Sequence, residues 1–383
     1  MKIVIINLAY HTNTPTGGDT ISIESAKGWR LMGHDVTILT TQSGAQYCVS
    51  HGFPKDCISI LPFSSFDFLG YDISIFLKTV CSFFAVLYLI RTTYDVYFAS
   101  SFFLPDSVPA AILRMLHPRS LFLTSMYVYT KRFFGTEYSG GKVKGFFFWI
   151  HEAIAVKSIA WLNGYVLTSS TYDAQELIRL TGFSNAHVHA VGGGVDTTFF
   201  TSVPSQALQY TAVFIGRFKP QKCIDALLEI WAEVLVSKPD WTLAIIGGGP
   251  LERSLRLKCS TLGISHAVSF LGVLDGIQKA IVLKSSRMFI SASLYDTGNI
   301  ALDEAMACHI PGILYDLPSM PYDQGVMRIP KGDAHAFAQG VIELGTDATL
   351  HESLSNGAKR YADAIDWKIR SKQIMAFITK TSG

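Results

Sequence analysis

Charge is scarce in this sequence. Asp, Glu, Lys and Arg make up 16% of its 383 residues, 32 basic against 30 acidic for a formal net charge of +2, with no long run of either sign. That balance argues against a nucleic-acid binder held by phosphate contacts. Cysteine is sparse as well: Cys48, Cys57, Cys81, Cys223, Cys259 and Cys308 form no C-x-x-C pair and have no nearby His at ligand spacing. Neither a zinc site nor a disulfide framework is indicated, and a reducing cytoplasm fits best. A dinucleotide fingerprint is missing too. The loop after the first apolar run reads NLAYHTNTPTGGDT, with Gly17 and Gly18 far along it and no G-x-G-x-x-G, which disfavours an NAD enzyme. The opening MKIVIINLAY has too short an apolar run for a signal peptide and no small-residue cleavage site after it, so it reads as a buried strand.

Apolar residues are abundant. They form 49% of the chain, enough for large cores, and the length suits two domains of similar size. One stretch, ISIFLKTVCSFFAVLYLI at 73–90, has nearly the length of a membrane span, is interrupted by Lys78 and is followed by Arg91. Strand-like DVYFAS follows within a few residues and PDSVPAAILRML resumes a helical pattern, which suits a β/α alternation better than an exit across a bilayer. The expectation is a helix buried between a sheet and its neighbours, or one lying on a membrane surface.

The first half begins with strand KIVIINL, a Gly-containing loop, helix SIESAKGWRLMG stopped by Gly33, and strand DVTILT, a βαβ unit. Further strands are expected at 95–99, 120–125 and 164–168. The second half repeats this grammar: TAVFIGR, CIDALLEIWAEVLVSK, WTLAIIG, LERSLRLKCSTLG, VSFLG, DGIQKAIVLKSS, RMFISAS and GILYD alternate strand and helix. The reading is α/β, two doubly wound parallel-sheet domains in tandem, with a boundary near VGGGVDTTFF at 191–200. Ligands of such sheets bind outside the carboxyl ends of the strands.

Three loops have the composition for chemistry. Gly247, Gly248 and Gly249 lie between a strand and a helix, where backbone amides approach a phosphate, although glycines at such a turn are as often structural. In GRFKPQK at 216–222, Arg217 ends a strand and Lys222 lies just before a helix, cations placed to receive a diphosphate; either alone would pass for a solvated loop charge. SLYDTGNIALDEAMAC at 293–308 holds three acids among small and apolar residues. Asn299 is an N-cap for a helix through IALDEAMAC, Gly298 allows an unusual turn before it, and Glu304 in the second turn leans back toward that end. Asp296 would sit on the loop, and Asp303 would point elsewhere as a solvated or helix-dipole residue.

Taken in order, these residues resemble the donor domain of a family 4 glycosyltransferase of the GT-B fold. The similar runs are VFIGRFKPQKCIDALLEI, LAIIGGGPLERSL, VSFLGVL and FISASLYDTGNIALDEAMACHIPGI; the family pattern there is Arg and Lys after the first strand, a Gly-rich turn, F-L-G, and E-x7-E ending in E-A-M-A. The first half resembles the family more loosely through GGDT, GWRLMGHDVTILT and TSSTYDAQELI, and AIDWKIRSKQIMAFI is similar to its closing helix. The departures are Asp296 for the first Glu, GNI between the acids, Cys223 where Gly is usual, and TSMYVYTKR without the His many members carry.

The resemblance implies two Rossmann-like domains facing a central cleft: an acceptor-side domain over 1–195 completed by a helix over 366–383, and a donor domain over 196–365. It implies a retaining hexosyltransferase that uses no protein nucleophile, metal or cofactor and takes its sugar from a UDP- or GDP-linked donor. Arg217 and Lys222 would stabilise the leaving diphosphate, and Gly17 and Gly18 would bring amides to the donor. Gly247 and Gly248 would border the nucleotide and Glu304 would hold ribose hydroxyls. Asp296 and the amides around Gly298, Asn299 and Ile300 would hold sugar and phosphate. The acceptor would be a glycan, a lipid-linked glycan or a small molecule. YVYTKRFF at 127–134, GGKVKGFFFW at 140–149 and the 73–90 segment are candidates for its site or for peripheral membrane contact. A catalytically impaired nucleotide-sugar or lipid-binding module and a related sugar-nucleotide epimerase are the alternatives.

Overall fold

The computed structural model describes residues 1–10, 16–62, 66–69, 71–127 and 142–382; most of the 127–134 stretch, the start of 140–149 and part of the loop before Gly17 lie outside them. The chain divides into two compact units, Met1–Gly192 with Trp367–Gly383, and Gly193–Asp366.

The first unit holds strands β1 (Lys2–Asn7), β2 (Asp35–Thr40), β3 (Ile58–Ile60), β4 (Val96–Ala99), β5 (Leu121–Ser125), β6 (Tyr165–Thr168) and β7 (Val188–Ala190). Its helices begin with α1 (Gly17–Leu31), α2 (Gln42–Ser50), α3 (Tyr71–Leu89), α4 (Leu104–Leu116), α5 (Lys142–Leu162) and α6 (Thr171–Thr181). The second unit runs through α7 (Thr197–Ser202), β8 (Tyr210–Ile215), α8 (Ile224–Ser237), β9 (Leu243–Ile246), α9 (Glu252–Thr261), β10 (Val268–Gly272), α10 (Gly276–Lys284) and β11 (Ser286–Ser291). It ends with α11 (Ile300–Ala307), β12 (Gly312–Tyr315), β13 (Val326–Ile329), α12 (Ala334–Thr346) and α13 (Ala348–Ala364), after which α14 (Trp367–Ser382) returns to the first unit.

Both sheets are doubly wound. The strand orders are β3-β2-β1-β4-β5-β6-β7 and β10-β9-β8-β11-β12-β13, and the ladders are parallel. Strands buried on both faces read as unbroken apolar runs, which is why KIVIIN and TAVFI stand out in the sequence. In β1 the alternation decides which core each side chain joins: Val4 and Ile6 pack with α3, α4 and α5, and Ile3 and Ile5 with α1 and α14. The α1–α14 packing depends on Gly28, whose absent Cβ would lie 2.2 Å from Ser371 Oγ, and on Trp29, whose indole N–H donates to Ser371 O at 3.0 Å. In the second unit one continuous core fills both faces around Phe214, Trp231, Phe289 and Met306.

The loops that follow the neighbouring strands β1 and β4 are tied together by a buried acid. Asp106 Oδ1 accepts from Leu8 N at 2.6 Å and Ala9 N at 2.9 Å, and Oδ2 from Ser100 and Ser101 hydroxyls. Burial pushes its carboxyl up to about 7 against the opposing pull of these four donors. Helix α3 corrects the buried reading of 73–90. Its inner side packs against α4 and the core of the first unit, and its outer row of large apolar side chains is exposed. Among the described residues no helix is long and apolar enough to cross a membrane.

Candidate functional site

In the second unit β8 lies between β9 and β11, so the chain leaves β8 toward opposite sides of the sheet. Such a reversal opens a crevice at the carboxyl ends of the two adjacent strands, where α/β sheets bind ligands. Every second-unit residue singled out from the sequence lies on a segment that follows β8, β9 or β11.

After β8 the backbone passes Arg217, whose side chain is exposed and has no ion-pair partner among the described residues. A short turn at Pro220–Lys222 then leads to Cys223, which starts α8 in the left-handed region at φ 47°. Glycine meets that conformation without strain, a local reason for the residue usual there. Lys222 points back across the strand ends, and its Nζ lies 2.6 Å from Asp296 Oδ2. The two side chains are 20% and 12% exposed, so this pair is shielded from bulk water and stronger than an ordinary surface ion pair. Asp296 is fixed from the other side as well. Its Oδ1 accepts from Thr297 N at 3.1 Å and its carbonyl from Ser319 Oγ.

Gly298, at φ 138°, turns the chain into α11 where a side chain would be strained. Asn299 caps the helix, its side chain accepting from Leu302 N at 3.2 Å, and its own N–H donates to the Tyr322 hydroxyl at 3.1 Å. The amides of Gly298, Ile300 and Ala301 have no acceptor among the described residues. They form the positive end of the α11 dipole, one loop away from the Lys222 ammonium.

Glu304 projects from the second turn of α11, and Oε1 meets Lys279 Nζ of α10 at 2.7 Å with both side chains about 15% exposed. Burial disfavours the Lys279 ammonium, but Glu304 and then Asp275, at 3.5 Å, outweigh it and raise its pKa, so it stays charged at neutral pH. The sequence reading missed Lys279. Its only signal was a Lys in the first turns of the helix preceding the strand that feeds the acidic loop.

Asp303 is a correction. Instead of being solvated it is 4% exposed, accepts from the Tyr322 hydroxyl at 3.0 Å and lies against Gly193, where a Cβ would come 3.0 Å from its Oδ2. Burial first and Asp303 second push the Tyr322 pKa well above its usual value, keeping the phenol a donor. Tyr322 thereby joins the cap of α11 to the helix's buried side.

The Gly-rich turn has a structural role that its residues carry outright. Gly247 sits at φ 137° with its missing Cβ 2.0 Å from Gly216 O, and Gly248 O accepts from Phe218 N at 2.8 Å. The turns after β8 and β9 are thus zipped together, which places Gly248 beside the Arg217 loop. Gly17 and Gly18 belong to the other unit, in the first turn of α1 behind the Thr16 cap and its Asp19 partner. Burial pushes the Cys308 thiol up to about 12, which leaves it inert as a nucleophile. Among the described residues no three His, Cys, Asp or Glu side chains cluster as metal ligands.

Residues 196–361, the segment that carries these loops, match the family model described as glycosyl transferases group 1. A phosphatidyl-myo-inositol mannosyltransferase of Mycobacterium leprae is 27% identical over 198 residues, covering 48% of this chain and 51% of that protein. A D-inositol 3-phosphate glycosyltransferase of Jonesia denitrificans is 27% identical over 255 residues, covering 60% and 59%. The chain therefore spans between half and three-fifths of the length of these relatives. Among solved structures, Anabaena HepE in complex with UDP and glucose superposes with a TM-score of 0.76 at 14% identity, covering 99% of this chain and 100% of that one. The fold is GT-B. In the GT-B frame the second unit occupies the position of the segment matched by the glycosyltransferase model.

Proposed function

We propose that this GT-B protein is a glycosyltransferase that moves a hexose from a nucleoside diphosphate donor to a glycan or lipid-linked acceptor with retention at the anomeric carbon. The observation that carries the proposal is the pairing at the β8/β11 switch point of Lys222 with the loop that opens the α11 N-terminus. Supporting it are the glycosyltransferase match over 196–361 and the UDP and glucose named with HepE.

In this reading the diphosphate takes the place beside Lys222, Arg217 and the amides of Gly298 and Ile300. Glu304 accepts from the ribose hydroxyls, Gly248 borders the base, and Asp296 holds the sugar. The anomeric C–O bond to phosphate breaks and a C–O bond to the acceptor oxygen forms on the same face. The acceptor's proton passes to the departing phosphate oxygen. The charge that grows on the diphosphate meets two preplaced cations and a helix N-terminus, and such fixed dipoles supply the largest share of stabilisation in reactions of this type. That field is enough without a metal. The six free thiols suit a reducing cytoplasm.

A thermal-shift panel of UDP, GDP and their sugar conjugates tests donor binding. Expected is a rise in melting temperature with one base and not the other, abolished in Glu304→Ala; no rise with either nucleotide overturns the donor site.

A further inference from the structure

The segment between β12 and β13 is tied at two points to the loop that opens α11. Ser319 Oγ donates to Asp296 O. The Tyr322 hydroxyl accepts from Asn299 N at 3.1 Å, and its single proton has Asn299 O and Asp303 Oδ1 within reach, each at 3.0 Å. Main-chain groups on both sides of the Gly298 turn are thereby held. A hold that served only the fold would end in the core; this one ends at Asp296 and Asn299.

The residues that provide these ties lie on a stretch, 316–323, that is neither helix nor strand. Pro318 and Pro321 restrict its φ angles but add no hydrogen bond. The rest of its order comes from Arg328 of β13. Nε donates to Tyr322 O at 3.2 Å, Nη2 to Met320 O at 3.0 Å and to Tyr322 O, and Nη1 to Asp316 Oδ1 at 2.7 Å. A planar fork with donors on three nitrogens meets acceptors spread over this stretch, which a single ammonium on a flexible stem does not. The ion pair to Asp316, 61% exposed, contributes little, so the hold rests on the carbonyls of Met320 and Tyr322, both buried residues.

We infer that Arg328, acting through Ser319 and Tyr322, is the positioning residue of the diphosphate site. It sets the backbone from Asp296 to Ile300 so that the free amides of α11 and the Lys222–Asp296 pair are in place before charge develops on the leaving group. The inference rests on the donor site proposed above, and one arm of its test uses no donor.

The variants are Arg328→Lys, which keeps the charge and loses the fork, and Ser319→Ala, which removes one tie. Hydrogen exchange of the full chain without nucleotide reads the amides of Asn299, Leu302 and Asp303, which donate to the Tyr322 hydroxyl, Asn299 Oδ1 and Asn299 O. Their exchange is expected to quicken at least about tenfold in Arg328→Lys, and less in Ser319→Ala, with β8 and β11 unchanged. In sugar transfer well below the melting transition, kcat should fall about tenfold in Arg328→Lys and donor KM should change less than about twofold, the pattern of a contact used in the transition state. Wild-type exchange and wild-type kcat in both variants overturn the inference. So does quickened exchange that reaches β8 and β11 equally, with kcat falling only in proportion to folded protein. A wild type that releases no nucleoside diphosphate from any donor overturns the donor site whatever the exchange shows, whereas an active wild type with unmoved variants overturns the role of Arg328 alone.

Discussion

Lys222→Ala is expected to lower sugar transfer by about 10²–10³-fold, the loss typical of removing one preplaced charge stabiliser from a developing anion. The Lys222–Asp296 pair complicates that experiment in a useful way. Removing the ammonium also strands Asp296, only 12% exposed, so part of any loss would come from a disturbed loop. Asp296→Asn separates the two effects. If Lys222 acts only by holding the loop, Lys222→Ala/Asp296→Asn matches Asp296→Asn alone in both melting temperature and rate; if it acts on the leaving diphosphate, the double variant matches Asp296→Asn in stability but is slower. Arg217→Ala is the cleaner partner, since that exposed side chain supports no described contact. Its turnover should fall while melting is unchanged, and wild-type rates in both single variants would remove the phosphate site from the account.

The second large effect is expected at Glu304. Glu304→Gln keeps the shape but weakens acceptance from ribose hydroxyls and removes the charge facing Lys279. The donor KM and the inhibition constant of free nucleoside diphosphate should both rise about tenfold, or about 1.4 kcal/mol, with a smaller change in kcat. Lys279→Met gives the contrast: it leaves a largely buried carboxylate without the Lys279 ammonium, so the melting temperature should drop while donor affinity, corrected for folded fraction, falls less. A Glu304→Gln enzyme with unchanged KM would place the ribose elsewhere.

Much of this protein is legible in its sequence for physical reasons that can be named. Strands buried on both faces must be continuously apolar, so KIVIIN, TAVFI and LAII declare themselves, and the helices between them dictate parallel pairing. The Asn299 cap and the Gly33 stop are local chemistry and were readable as such. The edge strands β3, β7 and β13 are three or four residues long and carry too little period to stand out. Lys222 with Asp296, and Lys279 with Glu304, are separated by 74 and 25 positions, and only the strand order brings them together. Asp303 was misread because its burial is decided by Tyr322, 19 positions away, and not by the helix it sits on. In α3 the polar row Ser74, Lys78, Ser82 was visible at i, i+4, i+8, yet periodicity gives the existence of a polar face and not its direction. Lys78 turned inward because Asp67 and Tyr10 O receive its charge there.

The central claim is sugar transfer from a nucleoside diphosphate donor at the β8/β11 switch point. It is tested most directly by incubating the purified chain with a panel of UDP- and GDP-sugars, glycan and lipid-linked acceptors, and following nucleoside diphosphate release and the anomeric signal of the product by NMR. The account predicts release from one donor type, a product with the donor's anomeric configuration, and loss of both in Arg217→Ala. A protein that binds nucleotide normally yet releases no diphosphate from any donor, or an Arg217→Ala variant as fast as wild type, would contradict it.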